Sequence, residues 1–304
     1  MRLSLLFSSQ LLATACSTVP PRDNLARPSV EAALALSLAV ASCTPEDPGS
    51  KLPREPTSIS VASYNVLYAL AEKTGDKNPT AWVDGATLGQ LKELDVDVLL
   101  LQETNEAWEA AISESLAARF PHCAFHQPGR HAPGGIAVCA KQPIVVDASI
   151  DSPLGWFPAQ HVVVETSAGK IQILNLHLRP ALSKPGQSWW DANAETREMR
   201  VKEMRDYLSR IDTNLPTIIG GDFNEVGGTP LFEVLSKAGF DNAFTQAGVT
   251  TSTWRWLERP DELNAQLDHI AYSESAFRLV DATVATGGNS DHLPVVVRLE
   301  IPSI

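Results

Sequence analysis

From residue 58 onward the apolar positions fall into short runs that switch between a two-residue and a helical period. SISVASYNVLYAL (58–70) is rich in β-formers and breaks at the polar Ser63-Tyr64-Asn65, which predicts a strand with a polar tip. TLGQLKEL (87–94) has helical spacing, and DVDVLLLQET (95–104) is a continuous apolar run ending at Gln102-Glu103, expected to be a buried strand. NEAWEAAISESLAARF (105–120) has the Ala/Glu/Leu content of an amphipathic helix, stopped by Pro121. Further strands are expected at 135–141, 160–166 and 171–178, a long charged helix at 188–211, and a strand in PTIIGGDFNE. A helix from Pro230 to Ala238 and strands near 266–273 and 293–301 complete the series. Strands and helices alternate, yet several strands meet through short turns, so the sheets must be mixed rather than purely parallel. Two mixed sheets packed face to face with helices outside suit one α/β domain of about 250 residues. No linker after residue 57 is long enough to divide it.

The beginning of the chain has a different texture. LSLLFSSQLLATAC follows Arg2, and VEAALALSLAVASC comes after Arg27. Each apolar stretch is shorter than the ~20 residues of a membrane-spanning helix. Each has the length of a secretory h-region and ends in small residues before a cysteine. VASC, ending at Cys43, resembles a bacterial lipoprotein cleavage box, in which the cysteine becomes the lipidated first residue. Residues 1–43 are therefore expected to be an export segment, and 44–57, rich in proline and charge, a flexible tether. The domain at 58–304 would then be exported, either lipid-anchored to a membrane at Cys43 or secreted or periplasmic. A disordered apolar N-terminus is the alternative.

Composition narrows the partners. With 44% apolar and 20% charged residues in 304, the chain has the makings of a sizeable globular core. Its formal net charge is −12, and losing residues 1–43 would remove three arginines and two acids, giving −13. Such a chain repels polyanions at long range, which argues against a tight, sequence-independent nucleic-acid binder with a basic face. A hydrolase that meets phosphate through a bound cation remains open. Cys123 and Cys139 lie symmetrically about His131, flanking two strand-like segments around a Gly/Pro turn. A disulfide across the hairpin and two buried free thiols are both compatible with that placement.

Five strands end in residues suited to phosphate chemistry: Asn65, Glu103, His177, the pair Asp222 and Asn224, and Asp268-His269 with Asp291-His292. Singly, each has an ordinary structural explanation. Asn65 suits a turn, Glu103 suits a helix N-cap, and Asp222-Phe223-Asn224 suits a turn that satisfies its own backbone. As a set they are three kinds of chemistry gathered at strand ends. Carboxylates hold a hard cation, an amide and an imidazole donate to phosphoryl oxygens, and a His–Asp pair moves protons. Alternate residues of an extended chain share a face, so Asp222 and Asn224 would project together while Phe223 packs the other way. The preceding glycines would let backbone and ligand approach closely. No zinc-type Cys/His cluster, G-x-S-x-G or Walker loop competes.

The motifs SYNVLY, LLLQET, LNLHL, GGDFNE, STW…LDHIAYS and NSDHLPVVV occur in that order over residues 58–301. This set resembles the endonuclease/exonuclease/phosphatase superfamily, which includes pancreatic-type deoxyribonucleases, AP endonucleases, neutral sphingomyelinases and inositol-polyphosphate 5-phosphatases. The resemblance implies a four-layered α/β sandwich, a monomer, and Mg²⁺-dependent phosphoester hydrolysis by water, with Mn²⁺ a possible substitute. It implies that Glu103 ligates the metal with Asn65 and Asp291 close by. Asp222 would orient or deprotonate the attacking water, and Asn224 and His177 would bind the scissile phosphate. His292, held by Asp268, would stabilise the transition state or move a proton, while His269 would be neighbouring structure.

Departures from that pattern bear on substrate. His177 stands where AP endonucleases carry a Tyr-based motif, which speaks against AP-site repair. No arginine occurs in FPAQHVVVET, and the turn CAKQP leaves Lys141 as a point charge in place of arginine's fork. Arg179 and Lys184 are further candidate cations. Trp156-Phe157, Trp189-Trp190, Trp254 and Trp256 either line a pocket for a lipid, sugar or base or serve packing. The leading expectation is a small or lipid-linked phosphoester substrate. The alternatives are an extracellular nonspecific nuclease and a catalytically inactive binding module.

Overall fold

Two six-stranded mixed sheets lie face to face in the computed structural model, which describes residues 57–68, 83–257 and 263–302. The expected export segment, tether and lipidation at Cys43 lie outside the described residues. The first sheet comprises β1 (Thr57–Asn65), β2 (Val98–Gln102), β3 (His122–His126), β4 (Ile136–Ala140), β13 (Arg278–Val284) and β14 (Val295–Ile301). Its order is β13-β14-β1-β2-β4-β3. The second comprises β5 (Ile144–Ile150), β6 (Ala159–Thr166), β7 (Gly169–His177), β8 (Thr217–Asp222), β9 (Phe240–Asn242) and β12 (Asp268–Ser273). Its order is β5-β6-β7-β8-β12-β9. A two-stranded ribbon, β10 (Trp254–Arg255) with β11 (Asn264–Ala265), stands beside them. Each large sheet has one parallel pair, β1 with β2 and β7 with β8, among antiparallel neighbours.

The helices are α1 (Gly85–Glu93), α2 (Glu106–Ser115), α3 (Trp189–Leu208), α4 (Pro230–Lys237) and the short α5 (Ala243–Ala247). Alternation along the strands sorts the core into three apolar layers. Between the sheets, Ile59, Val61, Val98 and Leu100 meet Val162, Ile171, Ile173, Ile218 and Ile270. Outside the first sheet, Leu99 and Leu101 pack on Leu91 of α1 and on Trp108 and Ile112 of α2. Outside the second, Leu174, Leu176 and Ile219 pack on Val201, Met204 and Tyr207 of α3 and on Leu231 and Leu235 of α4. The result is the expected four-layered sandwich of helices, sheet, sheet and helices.

The glycines of TIIGGD serve this packing rather than a ligand. A Cβ on Gly220 would come within 2.6 Å of Leu100 Cδ1, across the sheet interface. Gly221 has φ +147°, and a Cβ there would lie 2.0 Å from the Leu176 carbonyl oxygen. The strands that periodicity missed include β5, β9 and β13, all at sheet edges. Most of β5 and β13 is exposed, so neither carries the apolar alternation by which a strand is recognised.

Cys123 and Cys139 are register partners on β3 and β4 and form a disulfide. The free-thiol alternative is thereby excluded. Closing a loop of this size is worth ~3 kcal/mol. Reductant is therefore expected to lower the melting temperature by several degrees, as a thermal melt with and without a phosphine would show.

Candidate active site

The inward faces of the central strands share one design: apolar residues first, polar residues at the tip. Ile59 and Val61 are followed by Ser63 and Asn65, Val98 and Leu100 by Gln102, and Ile171 and Ile173 by Asn175 and His177. In β8 the series is Ile218, Gly220 and Asp222. Gln102 Nε2 donates to Asn175 Oδ1 at 2.7 Å, so a polar rung joins the sheets just above the apolar core. Beyond that rung the tips form one cluster. His177 and Asp268 are both register partners of Asp222, making a row across three neighbouring strands.

Asp222 is its centre. Oδ1 accepts the Asn224 backbone N–H at 2.9 Å, the turn that sequence alone suggests. Oδ2 faces the site, where Asn65 Nδ2 donates to it at 3.1 Å. His292 Nε2 and His177 Nε2 lie 3.5 and 3.6 Å from the same oxygen. Asn65 Nδ2 also donates to Glu103 Oε1 at 3.0 Å, while its Oδ1 accepts the Leu67 N–H. The amide thus bridges the two carboxylates. Glu103 does not cap α2, because Asn105 accepts the N–H groups of Ala107 and Trp108 and fills that role. Both Glu103 (φ 59°) and Asn224 (φ 49°) hold left-handed backbones, a conformation non-glycine residues keep only where surroundings enforce it.

Asp268 Oδ2 receives His292 Nδ1 at 2.8 Å, so the imidazole is held between two aspartates. His177 Nδ1 faces the Pro133 carbonyl at 3.2 Å. A carbonyl only accepts, so Nδ1 carries the hydrogen, and the neutral ring turns a lone pair toward Asp222. Asn224 Nδ2 donates to the Leu178 carbonyl at 2.9 Å. Asp291 Oδ2 accepts Trp254 Nε1 at 3.2 Å. His269 is apart from this group, buried against Phe223 and Phe232 with Nε2 on the Glu225 carbonyl. All eight expected site residues are therefore neighbours at one end of the sheet interface.

Residues 62–292 match the Endonuclease/Exonuclease/phosphatase family. The chain belongs to that family. Its name covers nucleases and phosphatases, enzymes that cleave phosphoester bonds. The mouse protein angel homolog 2 is 28% identical over 167 residues, 49% of this chain and only 30% of that protein. The fold is similar to that of an endonuclease/exonuclease/phosphatase from Beutenbergia cavernae, with a TM-score of 0.58 and 20% identity over 80% of this chain and 72% of that one. It is also similar to sphingomyelinase C from Streptomyces griseocarneus, with a TM-score of 0.54 and 16% identity over 80% and 99% of the two chains.

Several contacts escaped sequence reasoning although they lie inside the family motifs. Ser290 Oγ donates to the Asn65 carbonyl at 2.7 Å and accepts the His292 N–H, so the serine of NSDH ties that segment to β1. Thr253 Oγ1 accepts the N–H groups of Leu267 and Asp268. Their signal was the letters Ser290 and Thr253 themselves, which carry no charge to draw attention. Lys141 is a correction. It follows β4 at the Val98 end of β2, opposite to the site, and is paired with Asp95 and Asp97. The tryptophans divide: Trp189, stacked on Trp254, lines the pocket with Phe157, whereas Trp190 and Trp256 are exposed.

Electrostatics fit a family site built for a cation and a mobile proton. Burial, aided by Asp291 and Asp222, pushes Glu103 up to about 7, against the Asn65 hydrogen bond. Burial also raises Asp222, with His292 opposing. For His292 burial works against the cation, but Asp268 and Asp222 overcome it and hold the ring's pKa well above its ordinary value. His177 goes the other way, down to about 4, through burial. Asp222, Asp268 and His292 offer donor atoms within 4.8 Å of one another. Since Nδ1 of His292 is hydrogen-bonded to Asp268 and Nε2 is 3.5 Å from Asp222, these three read best as an aspartate–imidazole–aspartate relay. Glu103 and Asp291 fit a divalent ion better. Asp291 Oδ1, like Asp268 Oδ1, is buried without a hydrogen-bond partner, but Asp268 already holds His292. The crowding that raises Glu103 is what a hard cation relieves.

A pH dependence follows. A cation must displace the Glu103 proton, so affinity should fall about tenfold per pH unit below the pKa of about 7 and level off above it. Without the ion, folded Glu103 binds its proton more tightly than the unfolded chain does. This group's contribution to stability is therefore lost as pH rises toward about 7. Titration with Mn²⁺ from about pH 5.5 to about 8.5 tests the first statement.

Proposed function

We propose that this chain is an exported, Mg²⁺-dependent phosphoester hydrolase acting on a small or lipid-linked phosphate. The observation that carries the reading is the convergence of Asn65, His177 and His292 on one oxygen of Asp222, with Glu103 and Asp291 alongside. Glu103 and Asp291, with Asn65 beside them, would hold the ion, for which Mn²⁺ could substitute. When bound, the ion would neutralise phosphate charge and polarise the phosphorus centre. Asp222 orients or deprotonates the water through Oδ2, while Oδ1 is anchored to the Asn224 N–H. His292, kept charged between Asp268 and Asp222, faces the developing negative charge and can yield its proton. Asn224 has a second amide hydrogen for the phosphate. His177 can donate there only when doubly protonated, a state the phosphate anion itself favours.

Among the described residues no lysine or arginine lines the pocket, and the chain is acidic overall. Both features favour a small phosphate over a polynucleotide. Two short apolar stretches before Cys43, and a disulfide that belongs in an oxidising compartment, support export. Residues 51–304, screened with and without Mg²⁺ against bis-p-nitrophenyl phosphate, sphingomyelin, plasmid DNA and RNA, test the proposal. Diester turnover without plasmid nicking is the expected result. Nicking abolished by Asp222→Ala would transfer the assignment to a nuclease, and silence on every substrate would leave a binding module.

A further inference from the structure

Beside the hydrolytic pocket stands the cation of Arg179, whose charge acts on the buried Glu203 without a direct ion pair. Its guanidinium lies over the Trp156 ring, 4.5 Å from the centroid. Its side chain forms no hydrogen bond or ion pair among the described residues, and Nε is buried without an acceptor. Glu203, the nearby buried carboxylate, is engaged elsewhere: Oε1 accepts Ser152 Oγ and Oε2 accepts the Arg179 backbone N–H. Arg197 and Arg200 of α3 are paired with Glu225, and Lys184, in the loop before that helix, with Glu195. Trp156 Nε1 is a second buried donor without a partner.

The position of this pair gives it a role. Trp156 packs on Phe157 with ring centroids 5.5 Å apart, and Phe157 packs on the catalytic candidate His177 at 4.2 Å. Phe157, His177 and Pro180 all line the pocket, so the chain segments on both sides of the guanidinium form its wall. Two N–H donors without acceptors, one of them cationic and stiffened by stacking, make an anion-binding corner.

We propose that Arg179 and the Trp156 indole N–H form a second anion subsite, which takes a further phosphate carried by the same small substrate. The proposal rests on the hydrolase reading for the identity of that substrate. It is tested by calorimetry on the full chain in Mg²⁺, comparing thymidine 3′,5′-bisphosphate with thymidine 5′-monophosphate. The wild type should bind the bisphosphate about tenfold more tightly, the worth of one charge-assisted hydrogen bond. Arg179→Gln should abolish that preference, and Arg179→Lys should retain part of it as a point charge. Trp156→Phe, which keeps a ring but removes the N–H, provides a second variant if Arg179→Gln fails to fold.

No preference in the wild type, or equal weakening of both ligands by Arg179→Gln, would overturn the subsite. Turnover of bis-p-nitrophenyl phosphate is measured in parallel. Turnover without bisphosphate preference sinks the subsite and leaves the hydrolase. An Arg179-dependent preference without turnover of any diester keeps the anion site and sinks the hydrolase.

Discussion

Asp222→Ala is expected to lower turnover about 10³-fold or more in a protein that stays folded, and His292→Ala should cost about as much. The reason is that one oxygen has several duties. Asp222 Oδ2 takes a hydrogen from Asn65 and stands 3.5 Å from His292 Nε2, so its removal frees the imidazole and loses the water's acceptor together. The two residues act as a unit, and the double variant should be little slower than either single one. Folding should survive, because burial already disfavours the Asp222 charge and alanine removes that penalty. The measurement is kcat on bis-p-nitrophenyl phosphate with a parallel thermal melt. If either single variant keeps activity within about tenfold of wild type, these groups do not perform the acid–base work assigned to them.

Glu103→Gln should separate stability from metal binding. In the metal-free protein the Glu103 carboxyl is held up to about 7 by burial and by Asp291 and Asp222. Above that pH its charge opposes folding, so the neutral amide should melt no lower than wild type, and higher at alkaline pH. The same change removes a hard anionic ligand, so the rise in melting temperature that Mg²⁺ gives the wild type should vanish, and activity with it. A variant that still responds to Mg²⁺ as the wild type does would show that Glu103 is not a ligand. A variant that unfolds instead would show that its bonds to Asn65 and Tyr68 matter more than its charge.

Much of this was legible in sequence because it depends on local order. The run VLLLQE reads as a buried strand that ends in a polar tip. Asp222-Phe223-Asn224, by contrast, is not the extended segment that alternation suggested: the strand ends at Asp222, Asn224 has φ 49°, and the three residues form the alternative turn. Phe223 is indeed fully buried, against Phe232 and His269. Edge strands β5 and β13 were not legible, since exposed positions carry no alternation. Nor was the direction of Lys141, whose ammonium meets Asp97 at the far end of the sheet. A single charge in a turn does not say which edge it serves until strand order is known.

By itself, then, the sequence determined which residue types sit at which strand tips and that the core between the sheets is apolar. These follow from spacing along one chain. Only the tertiary structure decided that Asn65 bridges Glu103 and Asp222, that His177 owes its tautomer to Pro133, and that the Arg179 guanidinium stacks on Trp156 instead of forming an ion pair. Each of those contacts joins residues 23 or more positions apart. Pairing over such separations is set by strand register and sheet packing, which the letters constrain only through the fold they produce.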